Sequence, residues 1–184
     1  IKGMFYGKFS NFLDKIENSI FYHSDGNIYV YTGNPNYITR INIQTEGIDS
    51  VFIPDGILRW DTAKPEFGAA FLNSDGQFIY NLTARDSLNN SKYILRKFDP
   101  SLNWIKVGND LVVSGSSYEG FTGFFVADEY LYPAEYLYSN YMRRIRLSDG
   151  FYEEEWYTHQ PFESYYSWTY DWMNNIVYSG VFRP

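Results

Sequence analysis

Short apolar and aromatic runs alternate with turn residues along most of the chain, and helical periodicity is weak throughout, with Asn11 to Asn18 the best helical stretch and a short one. That pattern predicts strands. It is plainest in "SIFYHSDGNIYVYTG" (19–33), where Ile20 to His23 and Asn27 to Tyr31 flank the pair Asp25-Gly26. Asp-Gly between two strand-forming runs predicts a two-residue hairpin turn with φ > 0 at both central positions.

The hairpin recurs. "AAFLNSDGQFIYNLT" (69–83), "GFFVADEYLYPAEY" (123–136) and "SWTYDWMNNIVYSG" (167–180) repeat its plan, and the equivalent positions Gly26, Gly76, Glu129 and Asn174 are separated by 50, 53 and 45 residues. A third strand sharing Tyr-x-x-Arg follows the first three copies, at Tyr37, Tyr93 and Tyr141. Turn residues and a further β-prone stretch, "IDSVFI", "WIKVG" and "FYEEEWY", then complete each unit. Four short strands per 45 to 53 residues is the period of a propeller blade. The predicted fold is therefore all-β, a β-propeller of about four blades with four antiparallel strands each. Apolar residues on both faces of the strands suit sheets packed between neighbours.

The stretch "SDGNIYVYTGNPNYITRINIQTEG" resembles the blades of kelch, YWTD and related bacterial propeller repeats, and the likeness runs over most of the chain. It implies the fold and nothing finer. The kelch double glycine, a Trp-Asp at the WD40 position and a Tyr-Trp-Thr-Asp motif are all missing, so no functional residue is carried over.

One domain spanning 1–184 is expected, since a chain of this length buries roughly 70% of its unfolded surface. Three units are complete at about 19–54, 69–107 and 123–157, and a fourth starts with strands at 166–170 and 175–179 before Pro184. Residues 1–13, with "GMFYGKF", are read as supplying an outer strand to that last unit. Such closure removes exposed sheet edges. The other arrangement left open is a part of a larger propeller completed by flanking chain or by a partner.

Composition sharpens the functional question. Aromatic residues make up 21% of the chain, with 19 Tyr, 15 Phe and 5 Trp, which suits pleated sheets and also contact surfaces. The net charge of −7, with Arg143, Arg144 and Arg146 the one basic cluster, argues against a nucleic-acid partner. Zero cysteines remove disulfides, thiol nucleophiles and zinc–thiolate sites. No apolar run approaches the roughly 18 residues of a membrane span. No cofactor or metal motif stands out.

Repeated polar residues are read as structural. Asp25, Asp75, Asp128 and Asp171 recur at the end of the first strand, where Asp begins tight turns by bonding its own backbone; a ring of Ca²⁺ ligands is the competing reading. Arg40, Arg96 and Arg144 recur in the third strand and are expected to pair with carboxylates of an adjacent blade or to stack on rings. His23 and His159 have no partner motif, the serines of "SGSSYEG" form no nucleophile elbow, and the carboxylates of "YEEEWY" alternate faces. Asn81-Leu-Thr83 and Asn89-Asn-Ser91 match the glycosylation pattern.

Function is expected in what does not repeat. The loops "TGNPN", "NLTARDSLNNSK" and "PAEYLYSN" and the connectors "PDGILRWDTAKPEFG", "GNDLVVSGSSYEG" and "THQPFESYY" would share one propeller face. They present Trp60, Tyr118, Tyr136, Phe162 and Tyr165 among short polar side chains such as Asn34. Rings with adaptable hydrogen-bonding groups predict a noncatalytic module that binds a protein or a cell-surface glycan. An extracellular, cell-surface or virion setting is expected, as in a phage tail or a bacterial surface protein, with assembly into a larger complex. The alternative is a glycoside hydrolase or lyase of propeller fold.

Overall fold

The computed structural model describes residues 20–58, 70–84, 92–114, 121–135, 141–157 and 166–181. All regular structure there is β apart from one 3₁₀ turn, Pro100–Leu102. The first sheet contains β1 (Ile20–Tyr22), β2 (Asn27–Val30), β3 (Tyr37–Asn42) and β4 (Ile48–Phe52), paired antiparallel in chain order. The second holds β5 (Phe71–Ser74), β6 (Ile79–Ala84), β7 (Lys92–Asp99), β8 (Ile105–Lys106) and β9 (Leu111–Ser114). In the third, β10 (Phe121–Ala127), β11 (Tyr130–Glu135), β12 (Tyr141–Arg146) and β13 (Tyr152–Tyr157) are again sequential. The fourth is the hairpin of β14 (Tyr166–Asp171) and β15 (Ile176–Val181). The short helical candidate at Asn11 to Asn18 lies outside the described residues.

The first strands of successive sheets lie side by side in the order β1, β5, β10, β14. Two apolar clusters fill the spaces between the sheets. Phe21, Tyr29 and Ile38 of the first sheet meet Leu72, Ile79, Phe98 and Trp104 of the second. On the second sheet's other face, Phe71, Tyr80, Leu82 and Leu95 meet Phe124, Val126, Leu131 and Ile145 of the third. Phe71 and Leu72 are consecutive, so the strand alternation sends one side chain to each cluster. Phe125 stacks on Tyr132 at 4.6 Å and meets Tyr170 at 5.2 Å, which joins the third sheet to the hairpin.

Two local expectations change. The turn at Asp25-Gly26 is a three-residue loop, not a two-residue one. His23 and Asn27 oppose each other (N–O 3.0 Å), Gly26 N donates to the His23 carbonyl at 3.1 Å, and only Gly26 has positive φ, at 82°. Asp25 is not among the positive-φ residues, and its Oδ1 accepts from Asn27 N at 3.0 Å, an Asx turn that fits the longer loop. The two-residue geometry occurs instead at Asp128-Glu129, with φ of 48° and 68° between the paired Ala127 and Tyr130.

The outer edge of the second sheet also differs from expectation, running past 107 into residues read as a connector. β7 has eight residues, more than the two-residue β8 can pair. Val107 N bonds the Lys97 carbonyl at 2.8 Å, and β9 then takes over the ladder from Leu95↔Leu111 to Lys92↔Ser114. Gly150, at φ 77°, lies so close to this edge that a Cβ there would be 2.0 Å from the Val112 carbonyl oxygen.

Candidate functional site

The repeated polar residues act within the fold. Asp25 Oδ2 accepts from Tyr29 OH at 2.7 Å, and Asp75 Oδ2 accepts from Tyr80 OH at 2.8 Å, so the first two units share one Asp–Tyr lock. Each aspartate also binds the backbone of its own turn: Asp25 takes Asn27 N, and Asp75 takes Gln77 N and Phe78 N. Burial alone would push the Asp25 carboxyl up, but the hydrogen bonds from Tyr29 and Asn27 outweigh it and hold the group below the usual carboxylate range. Burial, followed by the Asp25 hydrogen bond, pushes the Tyr29 hydroxyl far up. Asp171 caps Met173 N and Asn174 N. Among the described residues no three His, Asp or Glu side chains gather as a metal site needs.

Each repeated arginine finds its carboxylate inside its own sheet, not in the adjacent one. Arg40 Nε bonds Asp49 at 2.9 Å, Arg96 forms a fork on Asp110 at 2.9 and 2.7 Å, and Arg144 meets Glu153 at 3.3 Å while covering the Tyr130 ring at 4.3 Å. The cross-strand register explains this, since Arg40 lies directly opposite Asp49. Arg96 does reach the neighbouring unit, donating to the Asp55 and Gly56 carbonyls at 2.7 and 2.9 Å. His23 is buried with both nitrogens engaged: Nε2 meets the Gln77 carbonyl at 3.0 Å and Nδ1 accepts from Asp25 N at 3.3 Å. Asn81, fully buried, accepts from Leu58 N at 2.6 Å and donates to the Leu58 carbonyl at 3.2 Å, as a strand backbone would. A glycan on Asn81 is incompatible with that fold; Asn89 and Ser91 lie outside the described residues.

At the loop end of the first sheet, the turn Asn34-Pro35-Asn36 is tied to the connector that follows β4. Asn34 is exposed, and its Oδ1 accepts from Asn36 N at 3.0 Å. The Asn36 carbonyl takes Ile53 N at 2.8 Å and the Pro35 carbonyl takes Ile57 N at 2.6 Å. This bonded platform presents two residues that the loop-based reading passed over as strand positions. Tyr37 and Phe52 pair across β3 and β4, are 45% and 53% exposed, and hold their rings 5.4 Å apart at 56°. Their signal was available: in "IDSVFI", Ile48, Ser50 and Phe52 share a phase, opposite to that of the core-packed Val51. Thr39 and Ser50 stand next on the same face, whereas Arg40 and Asp49 belong to the other. The face is uncharged there.

Of the expected binding residues, the structure thus places Asn34 at this platform. Trp60, Tyr118, Tyr136, Phe162 and Tyr165 lie outside the described residues, as does His159. Where described, the connector after β4 dips inward, since Ile57 is part of the first apolar cluster.

No protein-family model and no curated protein sequence matches the chain. Among solved structures, one described as "Streptogramin B lyase structure" is similar at 16% identity and a TM-score of 0.42. The match covers 79% of this chain and 55% of that one, so this chain spans about half of its length. A likeness this slight carries neither that protein's chemistry nor its fold across. What stands on its own is an all-β protein of antiparallel sheets stacked in chain order.

Proposed function

We propose that the chain is a four-unit propeller acting as a noncatalytic binding module, and that its ligand is a neutral glycan gripped at the loop end of the first sheet. The exposed Tyr37–Phe52 pair beside the Asn34–Asn36 turn carries the reading. Sugar rings present apolar faces to aromatic side chains and hydroxyls to amides and alcohols, and Asn34, Thr39 and Ser50 supply such groups without charge. The ordered stacking of β1, β5, β10 and β14 supports the propeller, as does the return of the last hairpin to the first sheet through Trp172 and Tyr22. In this reading residues 1–13 complete the fourth unit.

A glycan array on the full chain tests the proposal. Binding to a neutral glycan class, lost at least tenfold or so in Tyr37→Ala and Phe52→Ala with an unchanged melting temperature, is the expected result, since one stacked ring contributes on the order of 1 kcal/mol or more. Glycan binding that survives both substitutions would move the site elsewhere. A protein partner bound through the same two rings, with no glycan retained, would replace the ligand class and keep the surface.

A further inference from the structure

Trp172 stands in the turn between β14 and β15, in the last unit of the described chain, yet it contacts the first two. Its indole Nε1 donates to the Tyr22 carbonyl at 3.3 Å, and its ring stacks on Tyr22 with centroids 5.8 Å apart and planes 5° from parallel. The same indole covers Gly76, where a Cβ would lie 2.6 Å from Cδ2. Gly76 has φ 93°, so glycine there serves two needs: the turn and the seat. The seat is itself cross-linked. Ser24 N donates to the Gly76 carbonyl at 3.3 Å, and His23 Nε2 meets the Gln77 carbonyl at 3.0 Å, so the turns after β1, β5 and β14 converge at one end of the molecule.

We propose that Trp172 is a clasp, a built-in conformational device that holds the terminal hairpin to the first two sheets and can release without unfolding them. Among the described residues the last sheet has two strands, and a pair of strands has little stability of its own. On its other side β14 packs against β10 and β11, partly through Phe125 and Tyr170. Toward the first and second sheets, the hydrogen bond and ring contacts described for the hairpin are those of Trp172 on Tyr22 and Gly76. Met173, the next residue, is 66% exposed, so among the described residues of this turn Trp172 is the side chain that anchors it. Docked, the indole covers the end where the inner turns meet; released, it opens that end and frees the hairpin. The device stands apart from the glycan reading, which concerns the opposite ends of these strands.

Hydrogen exchange on the full chain, read by mass spectrometry for wild type, Trp172→Phe, Trp172→Ala and Gly76→Ala, tests the clasp. In Trp172→Ala the protection of amides in 166–181 should fall by about tenfold or more, while β2–β3, β6–β7 and β11–β12 keep theirs. Gly76→Ala should lower the protection of 166–181 by blocking the seat from the other side, with an added loss at the β5–β6 turn, where φ 93° strains alanine. Trp172→Phe, which keeps a ring and loses the N–H, should fall between. Unchanged protection of the hairpin in Trp172→Ala would overturn the clasp. So would a loss shared equally by all four sheets in the milder Trp172→Phe, because the hairpin would then not be a separable unit.

Discussion

The first sheet has two faces built from the same strands, and they meet different fates. Toward the second sheet, Phe21, Tyr29, Ile38 and Val51 enter a cluster closed by Phe98 and Trp104. On the other face, Val30 and Ile41 are buried, but Ile20, Tyr22, Tyr37, Ile48 and Phe52 are exposed. Both faces are apolar in sequence, so hydrophobicity alone does not decide which residues are buried and which stay exposed. A covering sheet does. The contrast teaches that in a stacked architecture an aromatic residue changes role with the one-residue shift that sends it to the other face.

Substitutions can break this contrast or sharpen it. The largest effect is expected from Trp104→Ala, which removes a ring packed edge-on against Tyr29 at 5.0 Å and leaves a cavity between the sheets. Urea unfolding should show a loss of about 3–5 kcal/mol; a loss no greater than that of an exposed residue would mean the two faces are energetically alike. Gly26→Val acts at the sheet's end and touches neither face, because no atom lies within 4 Å of a Cβ there. Only backbone strain remains, so the same measurement should give about 1–2 kcal/mol, and no change would contradict the left-handed geometry at Gly26.

Tyr29→Phe keeps the ring in the buried face but removes the bond to Asp25, at an expected cost of about 1 kcal/mol near neutral pH. That cost should depend on pH with a definite sign. The folded-state pKa of Asp25 is lowered, so its contribution is complete above the unfolded value of about 4 and is lost as pH falls through the folded one. Wild type and Tyr29→Phe should therefore converge in stability on acidification; a gap that widens below pH 4 would show that the hydroxyl is not stabilising the carboxylate. The smallest change is expected from Phe52→Ala on the open face, under about 0.5 kcal/mol. A drop of several degrees in melting temperature would show that face to be covered in solution.

Strand order in the first sheet was legible in the chain, because strand-forming runs and turn residues are local signals: Ile20 to His23, Asn27 to Tyr31 and Tyr37 to Ile43 each contain an observed strand, and Asp49 to Ile53 overlaps β4, which begins one residue earlier at Ile48. So was the turn role of Asp25, Asp75 and Asp171, since an Asx turn is completed within a few residues. The turn at Gly26 departs from the expectation because Asp25 accepts from Asn27 N and from the Tyr29 hydroxyl, contacts within the hairpin that the pair Asp-Gly does not by itself reveal. The split edge at Ile105 and Leu111 was not legible either, because it depends on the length of β7 finding hydrogen-bond partners.

By itself, then, the sequence determined an all-β chain of repeated antiparallel units and the turn role of Asp25, Asp75 and Asp171, set by contacts within a unit. Tertiary structure decided which face of each strand is covered, why Asn81 is closed to modification, and that Trp172 returns to Tyr22 across 150 residues. Those outcomes depend on how one sheet meets another, and no local pattern of side chains encodes the distance between two surfaces.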